Sequence, residues 1–161
     1  MSKGRVDAYI GIGSNLGDAA DNVRRAILRL GKLEDSRLIA QSSLFRTAPV
    51  DAGGEDYINA VARLETALPA DRLLSALQAI EQDFGRERPF PNAPRTLDLD
   101  VLLFAQQRID TPSLTVPHPR LTQRAFALIP LLQIDPMIAI PGKGPAHQFV
   151  PDVAGQAIQK I

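Results

Sequence analysis

The sequence predicts an α+β sandwich in which two helices cover one face of an antiparallel sheet, and three observations carry that expectation. Strand-like apolar segments at 6–13, 37–46, 57–68 and 97–104 are separated by stretches with helical period at 18–31 and 69–85. Their order is strand, helix, strand, strand, helix, strand, which is that of a ferredoxin-like fold. The chain has 161 residues, 45% of them hydrophobic and 22% charged, which suffices for one core and excludes fibrous or largely disordered classes.

Residues 6–13 (VDAYIGIG) are apolar, partly β-branched and end in glycine, as a buried strand does. Asp18 then caps a helix with Val23, Ile27 and Leu30 on one side and Gly31 as its stop. Residues 37–46 form the second strand, and 47–56, with Pro49 and Gly53-Gly54, a turn-rich loop. In 57–68, Ile58, Ala60, Ala62 and Leu64 alternate with Tyr57, Asn59, Val61, Arg63 and Glu65, so one strand face is apolar and the other is crowded with polar groups. Pro69-Ala70-Asp71 opens a second helix with Leu73, Leu74, Leu77, Ile80 and Phe84 inward, closed by Gly85. The proline-studded stretch 85–95 is a loop, and 97–104 (LDLDVLLF) is the fourth strand. The remainder, with a short helix near 123–132, elaborates the same unit, so 1–161 reads as a single domain with one sheet face left available.

Eighteen basic residues balance eighteen acidic ones, so no global field draws in nucleic acid or an anionic membrane, and any anion site is local. Without cysteine there is no disulfide, thiolate metal site or thiol nucleophile, only two histidines remain for imidazole chemistry, and any metal is expected to bind through oxygen. No apolar leader or membrane-length run is apparent, which leads us to expect a cytoplasmic monomer whose partners are small molecules.

Asp98 and Asp100 leave the same strand face about 6.6 Å apart along the chain. Leu97, Leu99, Val101 and Leu103 point toward the helices. Such a pair suits Mg²⁺, which takes one or two carboxylates and completes its shell with waters and phosphates, although solvated surface charges have the same spacing. Arg86, Arg88 and Arg95 precede the pair, and guanidinium forks match phosphate oxygens; they equally match Asp98, Asp100 and Glu87. His118 lies in a second loop with Arg120 and Arg124. Tyr57 and Asn59, with Phe126, combine an amide with aromatic rings, which suits a flat heterocycle with hydrogen-bonding edges. Gly11-Ile-Gly13-Ser-Asn-Leu-Gly17 fits neither a dinucleotide fingerprint nor a P-loop and reads as a glycine turn from strand to capped helix.

Taken together, these segments resemble the 6-hydroxymethyl-7,8-dihydropterin pyrophosphokinases of folate biosynthesis. The likeness spans nearly the whole chain. It lies in Ala8-Tyr-Ile-Gly-Ile-Gly-Ser-Asn-Leu-Gly17, Ser42-Ser-Leu-Phe-Arg-Thr-Ala-Pro49, Asp56-Tyr-Ile-Asn-Ala60, Gly85-Arg-Glu-Arg88, Pro94-Arg-Thr-Leu-Asp-Leu-Asp100 and Leu114-Thr-Val-Pro-His118. The resemblance implies Mg²⁺-dependent transfer of pyrophosphate from ATP to the pterin hydroxymethyl group, with two metal ions, on the fold already expected. It implies Asp98 and Asp100 as metal ligands and Arg86 and Arg95 as phosphate-binding catalytic residues. It places Gln78, Glu81, Arg88, Thr115, His118, Arg124 and the backbone of Val101 at ATP, and Thr47, Tyr57, Asn59, Phe126 and the backbone of Ala48 and Val50 at the pterin. Where some members carry Trp in the flap before the Pro-Arg motif, this chain has Asn92, and where some have a basic residue it has Ser113.

Two other readings use the same features. A non-catalytic ferredoxin-like module binding RNA on its open face would show exposed aromatics and surplus basic charge, which are missing here. A two-metal phosphohydrolase would use the same carboxylates and is separated from the pyrophosphokinase by its products.

Overall fold

The first strand, β1 (Val6–Ser14), runs straight through Gly11 and Gly13. The turn that the glycine motif suggested begins only at residue 15, and its left-handed position is Gly17 with φ of 60°. The computed structural model describes residues 4–48, 56–85 and 96–161. Asp18 caps α1 (Ala19–Leu30) as expected, its Oδ1 accepting from the Asp21 amide at 3.1 Å. The helix closes at Gly31, which keeps a right-handed φ of −67°.

The expected second strand is two pieces, β2 (Ser36–Gln41) and β3 (Phe45–Thr47), both antiparallel to β4 (Tyr57–Thr66). Between them Ser42 still exchanges hydrogen bonds with Val61: its amide donates to the Val61 carbonyl at 2.8 Å and its Oγ accepts from the Val61 amide at 2.9 Å. A side chain thus replaces one rung of the ladder, and the strand bends there. α2 (Ala70–Gly85) buries Leu73, Leu77, Ile80 and Phe84, with Leu74 on its half-exposed flank. β5 (Asp98–Phe104) pairs with the free side of β1.

The C-terminal third supplies the ribbon of β6 (Ile109–Asp110) with β7 (Thr115–Val116), a 3-10 turn at Leu121–Gln123, and α3 (Ala125–Ile134). The ribbon of β8 (Ala139–Ile140) with β9 (Gly144–Pro145), a short α4 (Val150–Val153) and β10 (Ile158–Lys160) follow. The principal sheet has the order β10-β3-β4-β1-β5, with β2 also on β4.

Two cores sit on opposite faces of that sheet. Ala8, Ile10 and Ile12 of β1 and Ile58, Ala60, Ala62 and Leu64 of β4 meet α1 and α2, the alternation expected from sequence. On the other face Tyr9, Val61, Leu102 and Leu103 pack beneath Ala127, Leu128 and Leu131 of α3. Leu103, expected on the helix side with Leu99 and Val101, therefore faces the opposite way. Its partner on β1 is Tyr9 while Val101 pairs with Ile10, so Leu102 is an extra residue in a bulge and the parity of the strand resets after it. At the far end of α3 Asp135 accepts from the Tyr9 hydroxyl at 2.7 Å, and Gln133 exchanges hydrogen bonds with Ser43. The face expected to stay available is thus half covered, and only the end away from these ties remains open.

Candidate active site

Strand register builds the floor of the open end. Gly13 of β1 is paired with Asn59 of β4 on one side and with Asp98 of β5 on the other, so amide, glycine and carboxylate form one row across the sheet. Two inter-strand spacings separate Asn59 from Asp98, about 9.6 Å. One row back, Gly11 lies between Val61 and Asp100. The glycines leave this floor without side chains of its own. A Cβ on Gly13 would stand 2.9 Å from Asn59 Oδ1, and one on Gly11 would stand 3.3 Å from the Leu102 side chain. Leu102 folds over Gly11 and lines the cavity beside Leu121 and Ala127, at the margin of the core under α3. Two glycines at i and i+2 inside a strand were the signal for this close approach, and the turn reading missed it.

The resulting cavity has a volume of about 320 Å³. Among the residues expected from sequence, Thr47, Ala48, Tyr57, Asn59, Asp98, Asp100, His118, Arg124 and Phe126 all line it. Asn59 is buried and donates from Nδ2 to Thr47 Oγ1 at 2.8 Å, which fixes the amide so that Oδ1 lies over Gly13. Asp98 is half-buried and Asp100 exposed. Arg120, Gly11, Gly13 and Asn15 also line the cavity and were not among the expected site residues.

Other expected residues stand apart from it. Gln78 is exposed on α2, Thr115 is exposed on β7, and Val101 turns its side chain into the core under α1 and α2. Glu81, also on α2, accepts from the Leu99 amide through Oε2 at 2.8 Å, on the backbone between the two aspartates. Arg86, Arg88, Arg95 and Val50 lie outside the described residues.

The C-terminal elaboration positions the opposite wall. Gln156 accepts from the Ala125 amide at 2.8 Å and donates to the Gln123 carbonyl at 2.8 Å, bracketing Arg124 with both ends of one amide group. Ala125 is the first residue of α3, so this also satisfies one of the helix's unpaired N–H groups. Arg124 then lies over the Phe126 ring, with 5.3 Å from Cζ to the ring centre. Nothing in the local sequence announced Gln156, because its partners are more than thirty residues upstream.

Comparison with known proteins bears on what this arrangement does. The sequence profile described as 7,8-dihydro-6-hydroxymethylpterin-pyrophosphokinase matches residues 9–136. The chain belongs to this family. A 2-amino-4-hydroxy-6-hydroxymethyldihydropteridine pyrophosphokinase of Pseudomonas aeruginosa is 41% identical over 134 residues, 83% of each chain. One of Haemophilus influenzae is 34% identical over 157 residues, 97% of this chain and 98% of its own. Among solved structures, a Plasmodium falciparum HPPK-DHPS with pteroate superposes with a TM-score of 0.74 at 12% identity. That likeness is one of fold, and it covers 91% of this chain and 42% of the Plasmodium chain. The chain thus spans less than half the length of that solved protein.

In this pyrophosphokinase fold, the loop carrying His118 is docked on β5: the His118 amide donates to the Leu102 carbonyl at 2.9 Å, and its Nδ1 accepts from the Arg120 amide at 3.2 Å. The second bond leaves Nε2 to carry the proton of the neutral ring. Burial holds the imidazole below its ordinary range; Asp100 opposes this, and Arg124 and Arg120 add to it. The unfolded chain therefore takes up this proton at higher pH than the folded one, and stability falls as pH drops below about 6.5. We expect His118→Gln to shed that part of the loss. Urea midpoints between about pH 7.5 and pH 5 test this, and parallel pH curves for the two proteins would remove His118 as the cause.

Among the described residues no cluster of three or more His, Asp or Glu side chains could hold a metal ion. A pair of carboxylates on one strand face nevertheless fits Mg²⁺, whose remaining positions are commonly filled by water and by substrate phosphates. No helix among the described residues is long and apolar enough to cross a membrane.

Proposed function

We propose that this cavity transfers the β,γ-pyrophosphoryl group of ATP to the hydroxymethyl oxygen of 6-hydroxymethyl-7,8-dihydropterin, releasing AMP, with two Mg²⁺ ions on Asp98 and Asp100. The reaction class is the family's, pyrophosphoryl transfer to hydroxymethyldihydropterin in folate biosynthesis. The observation that carries the assignment of roles is the row Asn59–Gly13–Asp98. It offers an edge-reading amide at one end, a carboxylate at the other and a side-chain-free floor between them. A flat bicyclic ring lies across such a floor with its hydrogen-bonding edge at Asn59 and its hydroxymethyl group toward Asp98.

Each residue then has a physical task. Thr47 takes one Nδ2 hydrogen of Asn59, leaving Oδ1 and the other hydrogen to read the pterin edge. Tyr57 and Phe126, which both line the cavity, supply stacking surface. Arg124, together with Arg86, Arg88 and Arg95, meets the phosphates, and His118, Thr115, Gln78, Glu81 and backbone at Val101 complete the nucleotide site. Mg²⁺ bound at Asp98 and Asp100 would neutralise phosphate charge and acidify the attacking hydroxyl. No side chain is needed as a dedicated base, so catalysis rests on alignment and charge stabilisation. The two cores share one sheet, which supports residues 1–161 acting as one catalytic domain.

Asn59→Ala and Phe126→Ala are expected to weaken pterin binding more than ATP binding. Gly13→Ala sharpens the test. Its new methyl meets only the tip of the Asn59 carboxamide, so the fold absorbs it while the edge-reading amide is displaced. We expect about a tenfold loss of pterin affinity, the size of one misplaced hydrogen bond, with ATP affinity and the melting temperature nearly unchanged. Isothermal titration with each ligand reads this directly, and equal losses for ATP and pterin would move the pterin site elsewhere.

A further inference from the structure

Two buried polar side chains, Ser14 and Asn22, link the carbonyls of Leu16 and Thr96 in a hydrogen-bonded chain at the entry to β5. Ser14, the last residue of β1, donates from Oγ to the Thr96 carbonyl at 2.6 Å. Asn22 on α1 donates from Nδ2 to Ser14 Oγ at 3.3 Å and to the Leu16 carbonyl at 3.0 Å. Ser14 is 1% exposed, Asn22 6% and Thr96 8%. Asn22 occupies the face of α1 that otherwise buries Val23, Ala26, Ile27 and Leu30, where an aliphatic residue would pack without any desolvation cost. A buried amide in that place is sustained only by its partners, and what those partners share is the point where the chain enters the carboxylate strand.

The backbone ladder between β1 and β5 ends at the pair Gly13–Asp98. Beyond that pair no strand pairing among the described residues holds residue 96, and the Ser14 hydroxyl takes over the role of the next rung. Asp98 is two residues from Thr96, so its Cα position and the direction of its side chain depend on where this side-chain rung fixes the backbone. Asn22 in turn occupies one lone pair of the hydroxyl and so aims its proton at Thr96.

We propose that Ser14, oriented by Asn22, is a positioning residue for the cation site: the Asn22–Ser14–Thr96 chain sets the Asp98 carboxylate where it can share a divalent cation with Asp100. This rests on the reading that Asp98 and Asp100 hold such a cation. The hydroxyl acts through the backbone and never touches the ion, in the way supporting hydrogen bonds orient metal ligands elsewhere.

The test uses the full chain with Mn²⁺ as a paramagnetic probe, titrated by electron paramagnetic resonance in the presence of α,β-methylene ATP, beside steady-state rates as a function of Mg²⁺. Ser14→Ala is expected to weaken Mn²⁺ binding roughly tenfold or more, the usual size of a lost supporting bond, and to raise the Mg²⁺ needed for half-maximal rate in parallel. The KM for pterin should not move. Ser14→Thr, which keeps the hydroxyl, should recover most of the affinity. Asn22→Ala, which leaves Ser14 in place but unaimed, should weaken Mn²⁺ in the same direction by a smaller factor, and it serves if Ser14→Ala does not fold. Wild-type Mn²⁺ affinity in Ser14→Ala or, failing that, in Asn22→Ala overturns the proposal, as does an equal loss in Ser14→Thr. Asp98→Ala run alongside separates the two levels: loss of Mn²⁺ binding there with none in Ser14→Ala leaves the cation site standing and removes only its brace, whereas wild-type binding in Asp98→Ala removes both.

Discussion

Asp98→Ala or Asp100→Ala should lower turnover by a factor of about 10² or more, the scale on which a single preorganised electrostatic contact acts. The fold should stay. Both carboxylates leave β5 on the cavity side, whereas Leu97, Leu99 and Val101 anchor the strand in the core under α1 and α2. Because neither side chain belongs to that core, the thermal midpoint should change little. Circular dichroism melts run beside the assay distinguish lost chemistry from lost structure. Near-native rates in either variant at ordinary Mg²⁺ would take that residue out of the metal role.

The second large effect concerns which bond breaks. Incubated with ATP, Mg²⁺ and 6-hydroxymethyl-7,8-dihydropterin, the protein should release AMP in step with pterin diphosphate, and nucleotide turnover should stop when the pterin is left out. Attack of the hydroxymethyl oxygen on the β-phosphorus breaks the bond between the α and β phosphates, and AMP carries away the electron pair. An ordinary kinase using the same carboxylates attacks the γ-phosphorus and leaves ADP. A two-metal hydrolase consumes ATP with water alone. Replacing Arg86 or Arg95 by Ala should slow AMP formation by roughly 10²-fold without diverting the product, because a guanidinium stabilises charge on the transferred group and does not choose the phosphorus. Chromatography of the nucleotides decides among the three: ADP as the main product, or AMP formed equally well without pterin, would overturn the pyrophosphokinase assignment.

How much of this was legible in the sequence depended on whether the signal was local. The two-residue period of 57–66 assigned both faces of β4, and the spacing of apolar residues gave α1 and α2 their inward sides. Asp98 and Asp100 were readable as a pair because a strand puts i and i+2 on one face whatever surrounds it. Parity failed at Leu103, where the extra residue Leu102 is inserted against β1 and pairing, which is non-local, decides the face. The break between β2 and β3 was hidden for a similar reason, since Ser42 substitutes a side-chain bond for a rung and leaves the local composition strand-like. The half-covered second face had a trace in α3, whose AFALIPLLQI is apolar nearly all round, as a helix contacted on more than one side is. Glycines 11 and 13 were visible but misread, because what they make room for, Asn59 and Leu102, arrives from other strands.

The two carboxylates of β5 also govern how this chain behaves when it is not folded. Among the described residues β5 is the outermost strand of the sheet on its side, and residues 97–104 contain six apolar side chains with Asp98 and Asp100 as the sole charges. Without them the stretch would be an uninterrupted apolar run at a sheet margin, the composition from which chains stack into intermolecular β-structure. In the native fold Glu81 occupies the Leu99 amide and the His118 amide occupies the Leu102 carbonyl, so part of that margin is already taken. Before the chain has folded those contacts are not made, and the paired negative charges oppose association of neighbouring copies. On this composition the two aspartates form a charge barrier to intermolecular stacking of the unfolded chain, a consequence separate from any part they take in turnover.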